Sequence, residues 1–161
     1  MQDEVLAVVE ASAPRRWLAL VMLVALGVLL IYVALMTPPP LMWQVFLIAL
    51  GAGSLWMAQS MYAATAGRVE LTDSELRTGT GEVIARIEDI EQVERGAFAF
   101  KPSNGFLIRT RAPALRAWRP GLWWRLGRRI GVGGVTPGSQ TKFMAEMISA
   151  MLAERDGTLP R

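Results

Sequence analysis

The fold is decided by the stretch from Trp17 to Ala64, which holds no charged residue and consists of two apolar runs around a proline turn. Residues 17–36 read WLALVMLVALGVLLIYVALM, residues 37–40 read TPPP, and residues 41–64 read LMWQVFLIALGAGSLWMAQSMYAA. Twenty residues of α-helix rise about 30 Å, which matches the hydrocarbon core of a bilayer. Proline breaks a helix because it has no amide hydrogen and restricts the preceding residue. The pattern therefore predicts two transmembrane helices, 17–36 and 41–64, in a hairpin.

Two other interpretations of this stretch fit less well. A secretory signal peptide has a basic leader and a small-residue cleavage site, whereas the 16 residues before the first run hold three acids and two arginines. A buried hairpin in a soluble protein would need about 50 residues of helix without a polar face. The first alternative lacks its basic leader and its cleavage site, and the second would place an unusually long apolar stretch inside a small soluble protein.

Arginine flanks the hairpin on one side only. Arg15 and Arg16 precede the first run, Arg68 follows the second, and the turn between the runs has no basic residue. Because basic residues mark the cytoplasmic side, we expect a multi-pass protein of the inner membrane with both termini in the cytoplasm. Residues 1–16 would then be a cytoplasmic N-terminal segment.

Small residues are frequent in the second run. Gly51, Gly53, Ser54 and Ala58 are all small, and the last two form a small-x-x-x-small pair. Such residues let helix backbones approach closely, so we expect these four to pack the second helix, most simply against the first. No ionisable residue lies within either run, so an ion or proton pathway through these two helices alone is not expected.

Composition excludes most transition-metal and thiol chemistry, because the chain has no histidine and no cysteine. No phosphate-binding glycine loop and no nucleophile elbow occurs. The acid pairs Asp73/Glu75 and Asp89/Glu91 are typical of a solvated rim. We therefore expect no catalytic residues, no cofactor and no metal, and a protein that is not an enzyme.

The residues after the hairpin have the pattern of a small antiparallel domain. Short alternating segments predict strands, turn residues separate them, and the period becomes helical from Thr141 to just before Asp156. Residues 89–95 are ambiguous between a helical turn and the start of a strand that continues through Phe98 and Phe100. The other predicted strands cover residues 68–72, 75–78, 83–87, 106–111 and 128–132. We assign this domain to residues 66–155 and a tail to residues 156–161.

Meandering strands closed by a C-terminal helix resemble the pleckstrin-homology-like (PH-like) fold. The resemblance rests on VELTDSELRTGTGEVIARIEDIEQV at 69–93, on FLIRTR at 106–111 and on the helix from Thr141. Together with the hairpin, the chain is similar to bacterial membrane proteins that carry two spanning helices and a small PH-like domain. The resemblance implies a membrane α-hairpin followed by an α+β domain, an antiparallel barrel or sheet capped by an amphipathic helix. Many such proteins have no assigned activity, so it implies little about function.

The charge of the domain is strongly divided. The total is +3, yet residues 68–100 hold four basic and eight acidic residues, whereas residues 101–142 hold nine basic residues and no acid. Within the basic block lies an Arg/Trp segment, residues 116–130. Projected as a helix, its apolar and basic residues separate onto different faces, which suits the headgroup layer of an anionic leaflet. The expected contacts with the membrane interface or anionic lipid are Arg119, Trp123, Trp124, Arg125, Arg128 and Arg129.

Other readings of the Arg/Trp segment stay open. A tryptophan could lie in the domain core with the arginines solvated or paired to the acids of residues 68–100, or the segment could contact a protein. Basic residues with aromatics also suit nucleic acid, but a bilayer-held domain is a poor place to bind it, and no nucleic acid is expected. The sequence favours a non-enzymatic binding module at the membrane surface, with lipids, itself or a protein complex as partner. The alternative is an accessory or assembly subunit of a larger membrane complex.

Overall fold

The helical hairpin is present in the computed structural model, which describes residues 4–95 and 102–157. Helix α1 spans Ala13–Met36 and helix α2 spans Leu41–Ala64, so α1 begins four residues before the predicted Trp17. Pro14 stands in its first turn, where a residue without an amide hydrogen starts a helix at little cost. Both helices are long and apolar enough to cross a membrane, with only 17% and 11% of their apolar windows buried. A core helix of a soluble protein, in contrast, is mostly buried.

The N-terminal residues belong to the folded domain, which corrects the division at residue 16. Strand β1, Val5–Glu10, pairs antiparallel with strand β2, Arg68–Thr72, so that Glu10 lies opposite Arg68. Ala7 and Val9 are buried in the core, while Val5 and Val8 are exposed. The hairpin is thus inserted between two paired strands of one sheet. A local pattern could not reveal this pairing because the whole hairpin separates the two strands in the chain.

Within residues 4–95 and 102–157, seven strands form two antiparallel sheets. The first sheet has the order β1-β2-β3-β4 and the second has the order β5-β6-β7, and these strands do not close into a single barrel in the described part of the chain. A 3₁₀ turn, Ile87–Asp89, connects the sheets. The remaining strands are β3, Glu75–Thr78; β4, Val83–Arg86; β5, Ile90–Glu94; β6, Phe106–Arg119; and β7, Trp123–Val132. The predicted continuation of the fourth strand through Phe98 and Phe100 lies outside the described residues.

The Arg/Trp segment is a β-hairpin and not a helix. β6 continues to Arg119, and β7 begins at Trp123, five residues before the predicted start of the last strand. The connecting turn contains Pro120 and Gly121, and Gly121 has a φ of 83°, a conformation that favours glycine. This Pro-Gly pair was the available turn signal. The helical projection of the arginines and tryptophans therefore does not describe the molecule.

Helix α3, Gly138–Arg155, covers the core between the two sheets. It begins three residues before the predicted Thr141. Met144 and Ile148 on its inner face are fully buried, together with Phe106 and Trp123 from the second sheet. The N–H of Glu10 donates to Oε1 of Gln140 near the start of α3, and the Arg155 guanidinium donates to the Ile90 carbonyl near its end. The helix therefore runs from the hairpin side of the domain toward the remote side.

Candidate functional site

The sheet domain is attached to the hairpin by very short connections. Two residues, Ala11 and Ser12, separate β1 from α1, and three residues, 65–67, separate α2 from β2. The Ser12 N–H donates to the Val135 carbonyl at 2.8 Å, and Nη1 of Arg15 donates to the Thr136 carbonyl at 2.8 Å. These bonds join the base of α1 to the loop between β7 and α3. The domain is therefore docked on the hairpin and not suspended from it.

A second contact joins the β6–β7 turn to the end of α2. A Cβ atom on Gly121 would lie 3.0 Å from Cγ2 of Thr65 and 3.2 Å from Cε of Met61, so the turn backbone lies directly against the helix. Val135 packs beside Met61 in a small apolar cluster shared by α1 and α2. The two loops hold the domain against the last turns of α2.

Aromatic and arginine side chains mark the level at which the hairpin meets the domain. Nη2 of Arg16 donates to the Tyr62 carbonyl at 3.1 Å, and its guanidinium lies 4.8 Å from the centroid of the Tyr62 ring. The rings of Trp17 and Tyr62 are 6.5 Å apart. Tryptophan and tyrosine are favoured at membrane interfaces. Trp17 on α1 and Tyr62 on α2 therefore lie at the same height along the hairpin, and this height is the one expected at a membrane interface.

An open cleft of about 860 Å³ lies between α2 and the domain. Its helix wall includes Trp56, Ser60 and Ala63, and its domain wall includes Trp118 and Arg119 from the end of β6. The Trp56 and Trp118 rings are 6.1 Å apart and inclined by 30°. The lining also contains a set of polar and charged groups on the domain side: Glu10, Arg68, Thr78, Thr80 and Glu82. The cleft is a concave surface that combines the hairpin with the domain, and we take it as the candidate site.

The two tryptophans predicted to contact lipid have different environments. Trp123 is 1% exposed and belongs to the domain core, so its side chain does not reach a membrane. Its indole N–H has no hydrogen-bond acceptor among the described residues. Trp124 lies across Gly131, where an added Cβ atom would overlap its indole ring. The tryptophan that reaches the hairpin is Trp118, which the sequence analysis did not select although it lies next to the Pro120–Gly121 turn signal.

The predicted arginines are mostly engaged within the domain. Arg119 lies 3.6 Å from Glu82, and Arg128 lies 3.0 Å from Glu91. Arg125 donates to the carbonyls of Ile84, at 2.9 Å, and Leu115, at 2.7 Å, and so bridges the edge of the first sheet to β6. Arg129 is exposed and makes no ion pair with a described residue. Of the six predicted contact residues, the structure brings only Arg119 and Trp123 to the cleft.

The four predicted helix-packing residues also differ in their environments. Gly51 is buried against α1, and a Cβ atom there would lie 2.9 Å from the Gly27 carbonyl oxygen. Ala58 is buried and Ser54 is half-buried, whereas Gly53 has no atom within 4 Å of its Cβ position and faces outward. Gly27 was not among the predicted packing residues, yet its own Cβ position lies 2.9 Å from the Gly51 carbonyl oxygen. Gly27 is the one glycine in the first apolar run, and this was the only feature of the sequence that could have indicated its role.

Glu70 is a buried carboxylate beside the cleft. Its oxygens accept hydrogen bonds from Nε of Arg68 at 2.6 Å and from Nε of Arg77 at 3.4 Å. The hydrogen bond from Arg68 is the main reason that the pKa of Glu70 lies below its ordinary value, and burial opposes the shift only in part. Arg68 is thus held at the cleft wall by an ion pair while its side chain stays half exposed.

No group of three potential metal ligands lies close together within residues 4–95 and 102–157. The cleft offers hydroxyl groups, two arginines, two glutamates and an aromatic pair, which is a set suited to binding a polar group beside an apolar one.

Comparisons with known protein families, with curated proteins and with solved structures find no match to this chain.

Proposed function

We propose that this chain is a non-enzymatic integral membrane protein that holds a PH-like binding module against the cytoplasmic surface of a bacterial inner membrane. Two apolar helices, two antiparallel sheets of four and three strands, and a C-terminal helix support this proposal. The arginines beside the hairpin support the cytoplasmic orientation, because basic residues mark that side. β1 and the sheet that it joins lie on one side of the hairpin. Both termini then share the cytoplasm.

The single observation that carries the proposal is the contact between Trp118 and Trp56. Trp56 precedes Tyr62 by six residues in α2, so it lies about 9 Å farther along the helix toward the proline turn. Amphipathic helices that lie at a membrane surface bury their apolar face by a comparable depth, about 5–10 Å, in the headgroup and acyl boundary. If Trp17 and Tyr62 mark the interface, the Trp118 side chain enters the leaflet, and the Pro120–Gly121 turn at the tip of the β6–β7 hairpin lies at its boundary. The domain then works at the membrane surface and not in the bulk cytoplasm.

The position of this tip is testable with single cysteines, because the chain contains none of its own. A nitroxide attached to Trp118→Cys, or to Pro120→Cys in the adjacent turn, is expected to be accessible to oxygen in the bilayer and protected from a water-soluble nickel chelate. The matched control is Asp73→Cys in the turn after β2, at the opposite end of the strand that leaves the hairpin. Its label is expected to be open to the chelate.

The measurement is made on the full chain in vesicles that contain anionic lipid. Labels at residues 118 and 120 that react with the chelate as readily as the label at residue 73 would overturn the proposal. Protection that requires anionic lipid would identify anionic headgroups as the partner of the basic block. Arg111, Arg116 and Arg129 are exposed and make no ion pair with a described residue, so they are the candidates for that attraction.

A second candidate function is that of an accessory subunit in a larger membrane complex. The observation that favours it is the open space around Gly53 on the outer face of α2, where the backbone of another helix could approach. Purification from the native membrane in mild detergent separates the two candidates. A large partner in stoichiometric amount favours the subunit, whereas recovery of the chain with lipid alone favours the binding module.

A further inference from the structure

We propose that the cleft between α2 and the domain is a binding site for one phospholipid whose headgroup carries both a phosphate and an ammonium group. The inference rests on the proposed position of the domain at the membrane surface. It goes further because it assigns a specific headgroup to a built site. A general attraction of anionic lipid to the basic block would not require the cleft.

The helix wall determines what has access to the cleft. Trp56 and Ala63 are exposed residues of α2, a helix whose outer surface would face lipid. A cleft that opens along such a helix is entered from the leaflet, so acyl chains can remain in the bilayer while the headgroup lies inside. The exposed faces of Trp56 and Trp118 supply the amphipathic surface that suits this boundary. A ligand without an apolar part would gain nothing from this wall.

The charges of the domain wall select the headgroup. Arg68 and Arg119 are balanced by Glu10 and Glu82, so the cleft has no net charge from these four groups. Arg119 and Glu82 form a pair at 3.6 Å, and their side chains are 51% and 43% exposed. Each retains capacity for a further partner, because a guanidinium has five donors and a carboxylate has two accepting oxygens. Phosphate at Arg119 and ammonium at Glu82 would satisfy both.

Neighbouring groups favour the same assignment. The Thr78 and Thr80 hydroxyls are 2.8 Å apart and lie on the cleft wall beside Glu82. A purely anionic headgroup would have to approach Glu82 and Glu10 without an ammonium to offset their charge. The site therefore prefers a zwitterionic phospholipid, of which phosphatidylethanolamine offers the smallest headgroup and an ammonium that donates hydrogen bonds.

The test uses native mass spectrometry of the full chain, delipidated in mild detergent and titrated with phosphatidylethanolamine or phosphatidylglycerol of the same acyl chains. The parent protein is expected to retain one phosphatidylethanolamine in preference to phosphatidylglycerol. Arg119→Gln should weaken binding of both lipids roughly tenfold, because each phosphate loses a charge-assisted hydrogen bond. Glu82→Gln should weaken only phosphatidylethanolamine.

The matched controls are Arg128→Gln and Glu91→Gln, which alter an ion pair of similar exposure that does not line the cleft. These two variants are expected to bind like the parent. Equal retention of the two lipids by the parent, no effect of Glu82→Gln, or equal effects of the cleft and control variants would each overturn the site. If the labels at residues 118 and 120 are protected while Glu82→Gln has no effect, the headgroup site fails and the proposed function stands.

Discussion

At the scale of single residues, Glu70 shows how a buried charge is tolerated in this small domain. The carboxylate lies on β2 and has a side chain that is only 8% exposed, yet it accepts hydrogen bonds from two arginines. A buried carboxylate without such partners would be protonated or would destabilise the fold. The pair with Arg68 also orients one wall of the cleft, so Glu70 connects the core to the candidate site.

The lowered pKa of Glu70 makes the stability of the domain depend on pH in a defined direction. A carboxyl with a depressed pKa in the folded state stabilises the fold above its unfolded pKa, and this contribution is lost as pH falls through the folded value. Glu70→Gln is therefore expected to lower the free energy of unfolding at pH 7 by roughly 1–3 kcal/mol. The difference between parent and variant should shrink below about pH 4.

Thermal unfolding of the full chain in detergent between pH 7 and pH 3 checks this prediction. Glu88→Gln is the control, because Glu88 pairs with Arg86 at an exposed position where both side chains are more than 60% accessible. A Glu70→Gln variant as stable as the Glu88→Gln variant at pH 7 would contradict the role given to the buried carboxylate.

At the scale of elements, the hairpin is held at its centre by two glycines and at its ends by polar contacts. The carbonyl oxygen of each glycine, Gly27 and Gly51, lies 2.9 Å from the position that a Cβ atom of the other would take. Nε2 of Gln44 donates to the Ala34 carbonyl at 3.0 Å near the proline turn. Arg16 and Tyr62 close the opposite end. The helices are therefore closest where side chains are absent.

Gly51→Ala is expected to destabilise the hairpin, because the new methyl group would lie 2.9 Å from a backbone oxygen that cannot move independently. Gly53→Ala is the matched control two residues away, with open space at its Cβ position. Alanine favours helix over glycine by about 1 kcal/mol, so the control should unfold at the same or a higher temperature. Melting temperatures in detergent that are equal for the two variants would contradict the glycine contact.

The elements differ in how far their sequence predicts them. The hairpin helices, β2, β3 and α3 were predicted within a few residues, because apolar periodicity and turn residues are local signals. Trp123 in β7 was expected to contact lipid, with burial in the domain core left open as the alternative, because residues 122–130 have a period that suits a helix or a strand when no partner strand is known. Its burial depends on its place in the core beside α3, and no local pattern encodes that place.

At the scale of the whole molecule, the apolar helical hairpin is an insertion between the first two strands of a folded domain. β1 contributes Ala7 and Val9 to the core and covers one edge of β2. Without β1, that edge of the sheet loses its partner strand and part of the apolar core is exposed. The chain before the hairpin and the chain after it therefore fold as one unit.

A domain that begins at residue 66 is expected to be unstable or to aggregate, because it lacks β1. Joining residues 4–11 to residues 66–157 through a short glycine–serine linker should restore a cooperative unfolding transition. The same fusion with Val9→Lys is the control, since it keeps the added residues but places a charge at a position that is fully buried. Equal melting curves for the fragments with and without β1 would contradict this organisation.

The sequence by itself determined the apolar helical hairpin, the divided charge and the strand-rich domain with its C-terminal helix, because each follows from composition or from a period within a few turns. Only the tertiary structure decided the edge strand Val5–Glu10, the Gly27–Gly51 contact and the cleft at Trp56 and Trp118. Each of these joins residues that lie far apart in the chain. Their pairing depends on how the short connections orient the hairpin against the sheets, and that geometry is a property of the folded chain.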